Sequence, residues 1–388
     1  MAQAPPIPVP ARHRHSPLEA CIAAVWGEDG HAPGLPPPDG RGPRAVLEDL
    51  ALRCLGRQPC LVSFSGGRDS SAVLAVAAHV ARRHGLAPPV PITNRFPGSR
   101  QADERDWQER TIAHLGLSEW IRLEWTDELD LLGPYGLRVL RRHGPLMPFN
   151  AHFLEPLLER AAGGALLTGI GGDELFYPGD RQAVARLVYA RQRPRRGELR
   201  RLAREAAPRP VRARLIERGL PFAFEWLRPH VRDRIARDYA TAAAEWPLRW
   251  DRSLEALWRS RHVQCVHATL RALASAHDAD LCSPFLDPAL LSAYGHEAGP
   301  AGLLGRGSAL TDLVGDLLPQ DVLRRTTKAG FDDPFWNRHA RAFAGRWSGS
   351  GVDPALVDGD ALRVEWASER PAGNSYTLLQ HAWLADEA

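Results

Sequence analysis

The chain has 388 residues, of which 44% are hydrophobic and 24% charged, as in a globular protein with one large or two ordinary domains. A formal net charge of +3 is too small to indicate a nucleic-acid partner by itself. No apolar run approaches the roughly 20 residues of a membrane-spanning helix, and the N-terminus lacks the apolar core of a signal peptide. The five cysteines form no C-x-x-C pair, so we interpret them as reduced thiols of a cytoplasmic protein.

The N-terminal part of the sequence differs in composition from the rest. Residues 1–43 are rich in proline and glycine, which predicts an extended or disordered segment with one short helix near residues 17–26. From residue 44 onwards the predicted elements are, in order, helix 45–55, strand 60–64, a helix that ends near residue 84, strand 90–93, helix 103–115, strand 120–125, helix 151–162 and strand 165–168. Such alternation is typical of an α/β fold with a parallel, doubly wound sheet.

The second half of the chain is predicted to be mostly helical from about residue 180, and it begins with an arginine-rich stretch. Residues 191–204 contain seven arginines. We interpret this stretch as a solvated basic face of a helix. Docking of an acidic or peptidic substrate is the alternative that the sequence leaves open.

A glycine-rich segment, SFSGGRDSS, follows the first predicted strand and leads into a helix. Gly66 and Gly67 allow backbone N–H groups to approach phosphate oxygens without a Cβ in the way, and a helix N-terminus favours anions. The segment also contains three hydroxyl donors, Ser65, Ser70 and Ser71. The carboxylate of Asp69 would repel a phosphate unless a hard cation such as Mg²⁺ lay between the two groups.

A second glycine-rich segment, TGIGGDELF, follows the fourth predicted strand. Its glycines are Gly169, Gly171 and Gly172. Asp173 supplies a second carboxylate. Ligands of open parallel sheets bind at the carboxyl ends of the strands, so both segments follow strands where a site is expected. Two carboxylates on neighbouring strand ends would hold the magnesium complex of a pyrophosphate group.

The basic residues are almost all of one kind. Lys328 is the only lysine among the 49 lysine and arginine residues. The sequence uses arginine wherever a surface charge suffices. The single lysine therefore indicates a position that needs a compact point charge. The same fact excludes a Walker-type phosphate loop, which needs its own lysine, and no D-F-G segment of a protein kinase is present.

Four segments together resemble the synthetase domain of the asparagine synthetase family, within the N-type ATP pyrophosphatase superfamily. SFSGGRDSS resembles the S-G-G-x-D-S loop of the superfamily, and TGIGGDELF resembles the family's T-G-E-G-x-D-E-L-F. SPFLD at 283–287 and the LP at 318–319, with Arg325 to Phe331, complete the pattern in family order. The resemblance covers roughly residues 45–340. It divides the chain into an N-terminal segment 1–43, a synthetase-like domain 44–345 and a C-terminal extension 346–388.

The resemblance implies an adenine-nucleotide α-hydrolase-like fold, ATP and Mg²⁺ as cofactors, and a role for each matching residue. Asp69 and Asp173 would hold Mg²⁺, and Lys328 would stabilise the charge of the α-phosphate and the oxyanion during acyl transfer. Adenine would rest on the backbone of the first two strands, and Glu104 would line the nucleotide or acyl pocket. The residues expected to contact the nucleotide are Ser63, Ser65, Gly66, Gly67, Asp69, Ser70, Ser71, Ile92, Thr93, Gly169, Gly171 and Gly172.

The sequence also departs from the family. Ala2 stands where the glutaminase domain of the full synthetase has its nucleophilic cysteine, so we expect no glutaminase here. Ile170 replaces the family's glutamate, or the tyrosine of β-lactam synthetases, as an acceptor for the proton of the amine. His262 and His267 are candidate replacements. The arginine before P-F-L-D is replaced by Cys282 or Ser283, and Asp280 replaces a glutamate, so recognition of free aspartate is not clearly retained.

Several functions therefore remain open. The favoured one is an AMP-forming ligase that joins a specialised peptide or amino-acid-derived carboxylate to an amine, as β-lactam synthetases and lasso-peptide cyclases do. The alternatives are an ammonia-dependent asparagine synthetase, a non-catalytic partner subunit and a tRNA-modifying enzyme. Ammonia from a separate source or a biosynthetic partner protein would fit the missing glutaminase. Neither a membrane nor a nucleic acid is expected as a partner.

Overall fold

A computed structural model describes residues 7–177, 182–191, 199–220, 224–327 and 329–387. Within these residues five strands form one parallel sheet in the order β3-β2-β1-β4-β5. The strands are β1 (Cys60–Ser63), β2 (Val90–Arg95), β3 (Ile121–Glu124), β4 (Ala165–Leu167) and β5 (Asp280–Cys282). The predicted fold class is confirmed.

Helices surround the sheet and form most of the rest of the described chain. They are α1 (Pro17–Ala20), α2 (Pro43–Leu55), α3 (Arg68–His84), α4 (Arg105–Leu115), α5 (Pro134–His143), α6 (Glu155–Arg160), α7 (Gly172–Phe176), α8 (Gln182–Tyr189), α9 (Leu199–Ala206), α10 (Arg209–Gly219), α11 (Pro229–Glu245), α12 (Trp250–Arg259), α13 (Arg261–Ser275), α14 (Pro288–Ala298), α15 (Arg306–Val314), α16 (Gln320–Arg324), α17 (Asp332–Phe335), α18 (Arg338–Arg346), α19 (Gly359–Ala367) and α20 (Tyr376–Glu387). None of the described helices is both long and apolar enough to cross a membrane.

The strand order reverses between β1 and β4. From β1 the chain passes through α3 to β2 on one side, whereas β4 pairs with β1 on the other side, with Leu61 opposite Leu166. Both strands are buried on both faces, which explains why they consist of continuous apolar runs. Ligands of such sheets bind in the crevice where the order reverses. The segments that follow β1 and β4 are the two glycine-rich loops.

The four predicted strands are confirmed, each within one or two residues of its predicted ends. The structure adds β5, which pairs with β4 and brings Cys282 opposite Leu167. It also adds α5, whose first turn begins at Pro134 after Gly133. β5 is only three residues long and begins with Asp280, so the sequence offers no apolar run from which to predict it.

A second apolar core lies outside the sheet and holds the C-terminal helices together. Trp336 of this core stacks on Tyr376, with the two rings 5.4 Å apart. The N-terminal segment contributes to the same core through Cys21 and Ile22, and the indole of Trp226 donates a hydrogen bond to the Cys21 carbonyl at 2.9 Å. Residues 7–42 are therefore packed against the body of the protein, with α1 inside the region where the sequence predicts a helix.

Asp130 fastens this second core to the segment before α5. Its carboxylate is fully buried and accepts hydrogen bonds from the backbone N–H groups of Leu132, Asn337, His339 and Ala340 at 2.9 to 3.1 Å. The last three N–H groups belong to the start of α18, where a carboxylate satisfies donors that the helix itself leaves unpaired.

We expect Asp130→Ala to lower the free energy of unfolding by about 2 to 4 kcal/mol, because several buried N–H groups lose a charged acceptor. Urea denaturation followed by circular dichroism measures this. Asp360→Ala is the matched control, since the Asp360 side chain is 95% exposed and, among the described residues, pairs with Arg363 alone. Equal stabilities of the two variants would contradict the role assigned to Asp130.

Candidate active site

The two glycine-rich loops touch each other at the carboxyl ends of β1 and β4. A Cβ added to Gly169 would lie 2.7 Å from the backbone nitrogen of Ser70, and a Cβ on Gly172 would lie closer than 3.0 Å to the carboxylate of Asp69. Real Cβ atoms do not approach other atoms so closely, so both positions require glycine. The glycines of the second loop therefore make room for the first loop.

The first loop is held in shape by its own serines. The hydroxyl of Ser70 accepts from the Ser65 N–H at 3.3 Å and donates to the Gly67 carbonyl at 3.1 Å, while the Gly67 N–H donates to the Ser65 hydroxyl at 3.2 Å. Gly66 has a φ of +83°, a backbone conformation that residues with a side chain rarely adopt. The loop is thus formed in advance as a backbone cradle at the start of α3.

The other residues expected to contact a nucleotide lie deeper. Ser71 is fully buried in α3, and Ile92 is fully buried in β2, where its carbonyl accepts from the Phe64 N–H at 2.9 Å. Thr93 donates through its hydroxyl to the Phe64 carbonyl at 2.6 Å. Ser63 ends β1 and is half-buried. The side chains of Ser71, Ile92 and Thr93 therefore belong to the core, so any contact of these residues with a base would have to be made by their backbone.

Asp69 and Asp173 meet across the two loops, and a single guanidinium joins them. Arg306, the first residue of α15, donates from Nη1 to Asp173 Oδ1 at 2.5 Å and from Nη2 to Asp69 Oδ2. Burial raises the pKa of Asp69 to about 6, although the positive charge of Arg306 opposes this shift. Sequence patterns did not single out Arg306, because one arginine among 48 gives no local signal.

The pair of carboxylates has the donor set that Mg²⁺ uses with a nucleotide. Asp69 Oδ1 is buried and accepts no hydrogen bond from the described residues, so it retains coordinating capacity. No group of three or more histidine, cysteine or acidic side chains within the described ranges is placed to hold a metal. Magnesium bound with phosphates commonly takes only one or two carboxylates and fills its remaining positions with phosphate oxygens and water, so the residues present fit.

Glu104 lies beside the first loop but takes part in a buried ion pair. Its carboxylate binds Arg325, whose Nη1 also donates to the Gly66 carbonyl at 3.0 Å. The guanidinium of Arg325 lies over the ring of Trp107 at 4.9 Å. Glu104 was expected to line a pocket. Its carboxylate instead orients Arg325, which binds the backbone of the glycine-rich loop.

Lys328 lies outside the described residues. The segment before it is anchored to the first loop by Arg325, and the segment after it is anchored by Gly330, whose N–H donates to the Gln101 carbonyl at 3.0 Å. Phe331 packs edge-on against Phe96, with ring centres 6.1 Å apart. Before the lysine the chain therefore contacts the glycine-rich loop through Arg325, and after the lysine it contacts residues that follow β2.

The two histidines proposed to replace the missing proton acceptor differ in their surroundings. His267 is bonded to the Leu286 carbonyl at 3.1 Å, and burial lowers its pKa. His262 lies 3.3 Å from Glu174, which follows Asp173 in the second loop. Ile170 itself packs against the apolar core. Only His262 is thus linked by a side-chain contact to the loop that carries the substitution.

The residues around SPFLD serve the scaffold. Asp280 lies at the amino end of β5, away from the site, and pairs with Arg57 at 2.9 Å. The Ser283 hydroxyl is bonded to the Thr168 hydroxyl at 2.8 Å, which joins the ends of β5 and β4. Asp287 caps α14 by accepting from the Ala289 N–H at 2.9 Å. The identity of residue 280 therefore says nothing about recognition of the substrate.

Comparison with known families agrees with the geometry of the two loops. The sequence profile described as asparagine synthase matches residues 44–382. The chain belongs to the asparagine synthase family. At the level of this family the chain is an ATP-dependent ligase that forms amide bonds. The match extends through most of residues 346–388, so the C-terminal helices α19 and α20 lie largely within the family domain. No curated protein matches the chain significantly.

Gly172 provides a direct test of the contact between the two loops. We expect Gly172→Ala to weaken binding of Mg²⁺-ATP by at least about tenfold, because the new methyl group would displace the Asp69 carboxylate from its place opposite Asp173. Isothermal titration calorimetry measures the affinity. Gly307→Ala is the control, since a Cβ at Gly307 in α15 would meet nothing within 4 Å. Unchanged affinity in a folded Gly172→Ala protein would show that the loops do not bind the nucleotide together.

Proposed function

We propose that the chain converts ATP and a carboxylate to an acyl-adenylate and pyrophosphate, and then transfers the acyl group to an amine. The observation that carries this proposal is the meeting of Asp69 and Asp173, from two glycine-rich loops, at the point where the strand order reverses. A cradle of backbone N–H groups beside two carboxylates suits the pyrophosphate part of ATP rather than a transferable γ-phosphate alone.

In the first step a carboxylate oxygen of the substrate attacks the α-phosphorus, and the bond to the β-phosphate breaks. The loop from Ser65 to Ser70 would bind the departing pyrophosphate through its N–H and hydroxyl groups. Mg²⁺ held by Asp69 and Asp173 would neutralise the charge of that leaving group. In the second step the amine nitrogen attacks the acyl carbon, AMP leaves and the nitrogen loses a proton.

The acyl substrate we propose is a specialised carboxylate, of peptide or amino-acid origin, rather than free aspartate. Ile170 supports this proposal because an aliphatic side chain that accepts no proton stands where the family's motif has a glutamate. His262, which lies 3.3 Å from Glu174 of α7, would accept the proton of the amine in its place. An ammonia-dependent asparagine synthetase is the competing function.

The nucleotide products test the first step. With its acyl substrate the enzyme is expected to release AMP and pyrophosphate in equal amounts, in a reaction that requires Mg²⁺. Chromatography of α- and γ-labelled ATP distinguishes these products from ADP and phosphate. The appearance of ADP would refute the proposed cleavage. Efficient formation of asparagine from aspartate and ammonia would instead identify the competing function.

Lys328 tests the second step. We expect Lys328→Arg to fold normally and to form amide at least about a hundredfold more slowly, because a long planar guanidinium misplaces charge at the α-phosphate and the oxyanion. Affinity for ATP should change much less, since the glycine-rich loop holds the pyrophosphate end.

Single-turnover amide formation, measured beside ATP affinity, separates these effects. Arg324→Lys is the matched control, because Arg324 is exposed at the end of α16 and only four positions away. Rates of Lys328→Arg and wild type within about threefold of each other would show that the lone lysine has no catalytic role.

A further inference from the structure

One short part of the chain carries a charge opposite to that of the rest. Residues 181–218 contain 13 arginines and 3 glutamates, a net charge of +10, whereas the whole chain has a formal net charge of +3. The remainder therefore carries a net charge of −7. The helices α8, α9 and α10 lie in this part, and α9 packs against both of the others. We call these three helices the basic lobe.

The basic lobe also exposes an unusual share of apolar side chains. Of the twelve large apolar residues that are exposed in the described part of the chain, six lie in this lobe: Leu187, Val188, Tyr189, Leu199, Val211 and Leu215. Single exposed apolar residues are common on protein surfaces, but a concentration among positive charges marks a binding surface. A merely solvated basic face would not need these side chains.

The pattern is clearest on α10. Val211, Arg214, Leu215 and Arg218 are all exposed and follow the i, i+3, i+4, i+7 spacing of one helix face. The helix packs against α11 on another side, where the buried Arg212 donates to the Ala244 carbonyl of α11. A spacing that usually marks a buried face is here presented to solvent, with cations between the apolar side chains.

The basic lobe begins beside the candidate active site. Gln182 of α8 donates to the Leu303 carbonyl at 2.7 Å, and Arg186 donates to the Leu304 carbonyl at 3.3 Å. Leu304 is 66% exposed and lies two residues before Arg306, which joins the two carboxylates. Tyr177, directly after α7, is 59% exposed. Exposed apolar groups therefore lie both at the site and on the lobe next to it.

We propose that the basic lobe binds an acidic, partly apolar polypeptide segment of the substrate while the reacting end of that substrate occupies the site. This inference rests on the proposed function and names its substrate class. Guanidinium groups bind the carboxylates of glutamate and aspartate in paired hydrogen bonds, and the aliphatic side chains between them bury apolar residues of the segment.

Other anionic partners fit this surface less well. Nucleic acid would be recognised through phosphates and stacked bases, whereas five of the six exposed apolar side chains are aliphatic. A membrane-binding helix needs a broad continuous apolar face, whereas the exposed face of α10 carries two apolar residues separated by arginines. An acidic peptide satisfies both the charges and the apolar groups.

The test measures binding without turnover, so that it does not depend on the proposed reaction. Three fluorescein-labelled peptides of equal length are compared by anisotropy with the full chain: one of glutamate and leucine, one of lysine and leucine, one of glutamate and serine. We expect the first to bind at least about tenfold more tightly than the other two. Equal binding of all three, or no binding, would overturn the proposal. So would tighter binding of single-stranded DNA or of phosphatidylserine vesicles.

Variants locate the binding surface. We expect about tenfold or greater loss of affinity for the glutamate–leucine peptide in two variants, the double variant Arg214→Glu/Arg218→Glu and the single variant Leu215→Ser. Arg53→Glu and Val364→Ser are the matched controls, because both residues are exposed and lie on α2 and α19. Circular dichroism checks that every variant is folded.

The two hypotheses fail separately. If the lobe variants lose peptide binding but the wild type forms no AMP, the proposed reaction is refuted and the docking surface is supported. AMP formation with peptide affinities that do not differ between lobe variants and controls would refute the docking surface alone.

Discussion

The contact of Arg306 with Asp69 and Asp173 is the interaction on which the arrangement of the site depends. Two carboxylates brought together from neighbouring strand ends repel each other unless a cation lies between them. The guanidinium supplies that cation and, because α15 carries it, connects the sheet to the helical half of the chain. The glycines of the second loop allow the approach, since a Cβ at Gly172 would overlap Asp69. This one contact therefore depends on the charge of the guanidinium, on the glycine backbone of the second loop and on the order of the strands.

The same contact constrains what a divalent cation can do here. Arg306 already occupies Asp69 Oδ2 and Asp173 Oδ1, whereas Asp69 Oδ1 accepts no hydrogen bond from the described residues. A cation bound by both carboxylates would have to share them with the guanidinium or replace it. The single positive charge of Arg306 offsets one of the two negative charges and opposes the protonation that burial favours at Asp69.

Local signals predicted the parts of the site that depend on short stretches of chain. Buried strands followed by paired glycines predicted both loops, because a tight backbone approach leaves a direct mark on the sequence. The partners of the charged residues left no such mark. Glu104 was expected to line a pocket but binds Arg325, and Arg306 was not singled out, since both contacts join residues more than 200 positions apart. Likewise β5 needs β4 beside it, because its own three residues have no strand pattern.

The abundance of arginine is used differently in the interior and on the surface. Buried guanidinium groups each serve several acceptors: Arg325 binds Glu104 and the Gly66 carbonyl, and Arg212 donates to the carbonyls of Ala207 and Ala244. A lysine offers one point charge and could not hold two such acceptors in a fixed plane. On the exposed face of α10, Arg214 and Arg218 extend into solvent between apolar groups and make no ion pair with the described residues. Arginines with partners inside the protein stabilise the fold. The exposed arginines of α10, which alternate with leucine and valine, indicate instead a surface that binds an external ligand.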